Sequence, residues 1–114
     1  MVSHTLAALA QVARIGLVVV AIAPEDDEFE RCVELPSSSR FAVARCGGAS
    51  RAATVAAGLA ELAQRGAGAD DWVLVHDAAR CLVRAEWIDR LIDACATDPV
   101  GGLLAVPVAD TLKR

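Results

Sequence analysis

Three short apolar runs, set between segments of helical period, limit what this chain can fold into. Residues 17–22 read Leu-Val-Val-Val-Ala-Ile, residues 72–75 Trp-Val-Leu-Val, and residues 101–106 Gly-Gly-Leu-Leu-Ala-Val. An unbroken, β-branched run without polar alternation is the pattern of a strand covered on both faces. A further short strand is predicted at 41–44, Phe-Ala-Val-Ala, ending before Gly47-Gly48. Between these runs the apolar period becomes helical. Val2, Leu6, Leu9 and Ala13 share one face, Val55, Leu59 and Leu62 a second, and Trp87, Ile88, Leu91, Ile92 and Cys95 a third. Ser50 is placed to cap the middle helix, the glycines of 66–69 end it, and the last helix stops before Pro99. A short helix is expected from Glu25 to about Cys32, and Pro36-Ser37-Ser38-Ser39 is a loop by composition. Strands alternating with helices imply βαβ units: an α/β fold with a mostly parallel sheet and helices on both faces.

Composition narrows the function classes. With 55% hydrophobic and 23% charged residues, the 114-residue chain has the apolar content to bury a core, which excludes disorder. Its formal charge of −4, without a basic run, argues against a nucleic-acid binder, because phosphate affinity needs clustered cations. The longest apolar stretch, 15–23, is about half of the ~20 residues a spanning helix requires, so no membrane partner is expected. Cys32, Cys46, Cys81 and Cys95 form no close pair, which disfavours a structural zinc site. Without a secretory signal they read as reduced cysteines of a cytoplasmic protein. The 24 alanines, and ten arginines against the single lysine Lys113, read as compositional bias of the source.

Parallel sheets bind ligands in the crevice beyond the carboxyl ends of their strands. That rule selects residues 46–51, 76–80 and 109–114. Gly47-Gly48, followed by Ser50, Arg51 and Thr54, offers backbone amides and a hydroxyl near a helix N-terminus, for an anion or a base. The plainer reading is a capped strand-to-helix turn. In His76-Asp77-Ala78-Ala79-Arg80 two small residues leave room for a ligand between a carboxylate suited to a divalent cation and a guanidinium suited to phosphate. The plainer reading there is a surface ion pair. Asp110-Thr111-Leu112-Lys113-Arg114 offers a hydroxyl and two cations, or is an ordinary polar loop. Gly66-Ala67-Gly68 has the outline of a dinucleotide fingerprint, but it precedes a strand instead of joining strand to helix, so that mechanism cannot operate. His4 reads as structural.

Three blocks carry a family resemblance: residues 72–80, residues 101–114, and Gly47 to Val55 with Gly58-Leu59. Together they resemble the 2-C-methyl-D-erythritol 4-phosphate cytidylyltransferases, over essentially the whole chain. The resemblance implies a Rossmann-like nucleotidyltransferase sheet, of which residues 1–114 are part of a single domain. It implies transfer of a cytidylyl group from CTP to 2-C-methyl-D-erythritol 4-phosphate, with release of pyrophosphate, in non-mevalonate isoprenoid biosynthesis. It further implies a magnesium ion or another divalent cation, and a homodimer in the full-length enzyme. By position, Gly47, Gly48, Arg51 and Thr54 would bind CTP at its base, and Ala78 would lie against the ribose. Asp77 would serve the triphosphate, the metal and catalysis, and Arg80, also catalytic, would join Thr111 at the acceptor phosphate.

The chain departs from the family pattern in three places. It begins after the first strand and the glycine-rich loop with its arginine and lysine, it stops before the dimer arm is complete, and it has Cys81 where proline is common. The expectation is therefore an internal fragment, inactive and poorly folded alone, with runs 17–22 and 72–75 flanking an absent strand. The alternatives are another nucleotidyltransferase of the sugar-nucleotide type, and a non-catalytic nucleotide-binding module.

Overall fold

The computed structural model describes residues 2–105. In chain order its elements are α1 (Val2–Ala10), β1 (Val18–Ala21), α2 (Phe29–Cys32), β2 (Phe41–Ala44), α3 (Arg51–Gln64) and α4 (Ala85–Cys95). β1 and β2 pair in parallel, in the register Val18 with Phe41 through Ala21 with Ala44. The ladder runs past both ends: the Val18 amide donates to the Arg40 carbonyl, the Ile22 amide to Ala44, and the Gly47 amide to Ile22, all within 2.9 Å.

Side chains alternate along β1, so Val18 and Val20 share a face. That face packs on a core of Leu6, Leu9, Val12, Phe41 and Ile88, drawn from α1, the turn after it, β2 and α4. Val12 and Ile88, 0% and 2% exposed, are its largest fully buried side chains. α3 contacts β1, and the alternation sends Val19 and Ala21 to the face away from the core. Helices thus accompany both sides of the strand, the arrangement expected of βαβ units.

Arginines fasten the ends of these elements. Arg40 donates Nη1 to the carbonyls of Val12 (2.8 Å) and Ile15 (2.7 Å), and Nη2 to the carbonyl of Ala10, with its guanidinium 5.4 Å from the Phe41 ring centre. These are carbonyls at and just after the end of α1, where a helix leaves acceptors without intrahelical partners. Arg14 reaches α4, placing Nη1 2.7 Å from Asp93 and Nη2 2.9 Å from Asp89. Gly66, with φ +107°, follows α3 in a conformation that suits glycine.

Several sequence expectations need correction. Residues 72–75 form no strand, and Trp72, Val73, Leu74 and Val75 are exposed. Residues 101–105 form none either, while Val106 lies outside the described residues. The reason is pairing, since a run becomes a strand only beside a neighbour that takes its amides and carbonyls. An open groove of about 340 Å³ separates β1 from residues 73–78. β1 itself is only half-buried although elements pack on both of its faces, because β2 meets only one of its edges and the other is open. The helix predicted from Glu25 shrinks to α2, because the Asp26 carboxylate captures the amides of Glu28 (2.9 Å) and Phe29 (3.0 Å) in a turn. By contrast β2 matches its predicted bounds, and Ser50 caps α3 by accepting from the Ala53 amide at 3.1 Å.

Candidate active site

The site grows from the carboxyl end of the sheet. β2 ends at Ala44, and the chain turns through Gly47-Gly48 into α3. A Cβ on Gly48 would sit 2.6 Å from the Ala53 Cβ, so only glycine fits against this first helical turn. The Gly48 amide donates to Thr54 Oγ1 at 3.0 Å, and that hydroxyl gives its own proton to the Ser50 carbonyl, also at 3.0 Å. The sequence reading offered these amides to a ligand. Here Gly47 and Gly48 instead spend theirs inside the protein, on Ile22 and Thr54. Thr54 keeps one free lone pair, so in this arrangement its hydroxyl can accept a hydrogen bond but has none to donate.

Arg51 opens α3, one turn before Thr54, and residues three apart on a helix lie side by side. Its Nε and Nη2 both stand 3.0 Å from Asp77 Oδ1, while Arg80 Nε stands 3.3 Å from Oδ2. Asp77 is thus shared by two guanidinium groups from different segments. The hydrogen bond from Arg51, with the positive charges of Arg51, Arg80 and His76, holds its carboxyl below the ordinary value against a smaller opposing effect of desolvation. Two cations on one anion leave the cluster net positive, a field suited to phosphates.

The turn carrying Asp77 is closed locally. The Arg80 amide donates to the Asp77 carbonyl at 3.0 Å, and His76 Nε2 lies 2.9 Å from the Arg80 carbonyl, which can only accept. Besides the Arg51–Asp77 pair, a part-buried bond ties this turn to the body: Thr5 Oγ1 donates to the Ala78 carbonyl at 3.0 Å. Arg51, Thr54, Asp77 and Ala78 line the groove beside β1, whereas Gly47, Gly48 and Arg80 stand outside its lining. A second hollow, of about 510 Å³ around α2, contains none of the predicted site residues.

Two of the three predicted segments therefore meet, through Arg51 and Asp77. The third, 109–114 with Thr111, lies outside the described residues. The sequence reading assigned no role to Thr5. Its signal was available, as a lone hydroxyl beside Leu6 on the apolar face of α1.

For a divalent cation, the described residues gather no group of three or more His, Cys, Asp or Glu. Magnesium is commonly held by one or two carboxylates together with substrate phosphates, and Asp77 supplies one such carboxylate. Oδ1 faces two nitrogens of Arg51 and Oδ2 only one of Arg80, so Oδ2 keeps a lone pair for an ion. The donor set fits a metal that arrives with a triphosphate.

Known proteins resemble the chain over all of its length. The family described as "IspD: 2-C-methyl-D-erythritol 4-phosphate cytidylyltransferase" matches residues 1–114. A bifunctional enzyme IspD/IspF of Albidiferax ferrireducens is 57% identical over 100% of this chain and 27% of its own length. The 2-C-methyl-D-erythritol 4-phosphate cytidylyltransferase of Laribacter hongkongensis is 52% identical over 100% of this chain and 48% of its own. A crystal structure of 4-diphosphocytidyl-2C-methyl-D-erythritol synthase superposes with a TM-score of 0.86 at 40% identity, covering 99% of this chain and 54% of that one. The chain spans about half the length, or less, of the curated relatives it matches. Matched over all of its residues, the chain belongs to the 2-C-methyl-D-erythritol 4-phosphate cytidylyltransferase family.

Proposed function

We propose that the protein transfers a cytidylyl group from CTP to 2-C-methyl-D-erythritol 4-phosphate, yielding 4-CDP-2-C-methyl-D-erythritol and pyrophosphate for isoprenoid synthesis. The observation that carries this reading is the Arg51–Asp77–Arg80 cluster, one helical turn from the Thr54 hydroxyl. A nucleoside triphosphate needs both features at such a spacing: cations for its phosphates and a polar group for its base. The free lone pair on Thr54 suits the exocyclic amine of cytosine, which donates, and not the corresponding carbonyl of uracil, which accepts.

In the reaction an oxygen of the acceptor phosphate attacks the α-phosphorus and pyrophosphate leaves. No covalent nucleophile is required. Several anions meet, so positioning and cationic stabilisation dominate the rate. Arg80, with an 80% exposed side chain, is free to swing onto the acceptor phosphate, where Thr111 would join it. Asp77 would hold a magnesium ion, which when bound neutralises part of the triphosphate charge. Arg51 orients the Asp77 carboxylate for that role. On the same reading the protein is a cytoplasmic homodimer that meets neither nucleic acid nor membrane. No described helix is long and apolar enough to cross a membrane.

The test is Asp77→Asn, assayed for cytidylyl transfer with CTP and magnesium. Turnover should fall by about 100-fold or more, the scale of losing one group that stabilises transition-state charge. Thermal unfolding should not move, because the Asp77 side chain is 40% exposed. Turnover near that of the wild type would remove Asp77 from the mechanism.

A further inference from the structure

Thr5 is the sole polar residue among the described residues that is buried, at 3% exposure, and it lies on α1 beside Leu6. A threonine inside a helix can point to solvent or return its hydroxyl to a carbonyl of its own helix. Thr5 instead sends its proton 73 positions along the chain, to the carbonyl of Ala78. A buried hydroxyl without a partner is costly, so this bond fixes both of its ends.

The acceptor end is the site turn. Residues 72–80 have no strand neighbour among the described residues, so no sheet ladder sets their position. Their other polar ties to the body, Trp72 Nε1 to the Ala96 carbonyl at 3.3 Å and Arg51 to Asp77, are exposed and open to competition from water and salt. A peptide unit is planar and trans, so its carbonyl and the next amide point in opposite directions. Drawing the Ala78 carbonyl toward α1 turns the Ala79 amide outward. That amide has no hydrogen-bond partner among the described residues, and Ala79 is exposed.

We propose that Thr5 is a positioning residue: by gripping the Ala78 carbonyl from the core, it sets the turn that presents Asp77 and the outward Ala79 amide to a nucleotide. The identity of that nucleotide rests on the proposed function, whereas the positioning does not. Thr5, 3% exposed at the floor of the groove, acts through this bond. It fixes the orientation of one peptide plane, and through it the carboxylate one residue before.

The experiment compares Thr5→Val, which keeps the shape and removes the hydroxyl, with Thr5→Ser, which keeps the hydroxyl. Without ligand, amide exchange at Arg80 reports opening of the turn, because its N–H closes onto the Asp77 carbonyl. Thr5→Val should speed that exchange by about fivefold, the scale of one hydrogen bond, and Thr5→Ser should restore it. Exchange at Leu9 and Ile88 should stay near wild type in both variants. Calorimetry with CTP and magnesium should show a matching loss of affinity in Thr5→Val alone. Unchanged Arg80 exchange in Thr5→Val overturns the proposal. So does faster exchange that appears equally at Leu9 and Ile88, which would mean the core loosened as a whole, and so does a failure of Thr5→Ser to restore. If the wild type binds no CTP but Thr5→Val still frees Arg80 selectively, the positioning stands and the cytidylyl reading falls.

Discussion

The two flanks of β1 are made of similar residues and meet different fates. On one side Phe41–Ala44 lies in a parallel ladder that continues past both ends of the strand. On the other, Trp72 to Val75 runs equally apolar and stays exposed across a groove. Hydrophobicity therefore does not distinguish a strand from a candidate strand here. Only the first flank has a partner at hydrogen-bonding distance. The paired flank builds the core, and the unpaired flank carries the candidate site turn at its end.

That contrast can be broken first by cutting side chains. Phe41→Ala, in the core beside the ladder, should cost about 3–5 kcal/mol, the range for deleting a buried aromatic ring. Leu74→Ala, at a residue 40% exposed, should cost under about 1 kcal/mol. Denaturant unfolding of both variants checks the pair, and equal losses would mean that the two flanks are packed alike.

A smaller effect separates the flanks by ligand. Thr54→Val should weaken CTP binding by about fivefold, the scale of one hydrogen bond to a base. Thr97→Val, at an exposed residue after α4, should leave it unchanged. Equal affinities of the two variants by calorimetry would count against base reading by Thr54.

The smallest effect is the response to acid. Asp77 is held below its ordinary value of 3.8, so the folded protein binds that proton less readily than the unfolded chain. Its pairing with Arg51 is fully present above that ordinary value and is lost only as pH falls through the lowered one. Between pH 8 and about 5 the pair should not change. A carboxylate NMR titration of Asp77 should give a midpoint below 3.8, and Arg51→Gln should move that midpoint upward. A wild-type midpoint at or above the ordinary value would break the assignment of Arg51 as its partner.

The sequence disclosed local features well and distant pairings poorly. Residues 41–44 were legible to the residue, and Ser50 as a cap, because turn chemistry and short-range pattern set both. Residues 72–75 were legible as apolar, and the family resemblance foresaw an absent strand beside them; that the run then forms no strand at all was not legible, since pairing is not written in the run itself. Asp77 and Arg51 each stood out by residue type. Their bond, 26 positions apart, belongs to the fold. Thr5 and Ala78 are farther apart still, and a threonine among leucines gives no hint of which carbonyl it will find.

The excess of arginine over lysine reads as compositional bias of the source, and Arg40 shows where that reading fails. Its fork reaches three carbonyls on either side of a turn while its flat face lies near Phe41. A lysine ammonium, compact and strongly hydrated, offers neither the spread of donors nor the plane. Surface engineering that swaps arginine for lysine, whether to improve crystals or to add labelling sites, should therefore spare position 40. A table of conservative replacements treats Arg40→Lys as safe, yet the exchange would unfasten the end of α1 from the start of β2.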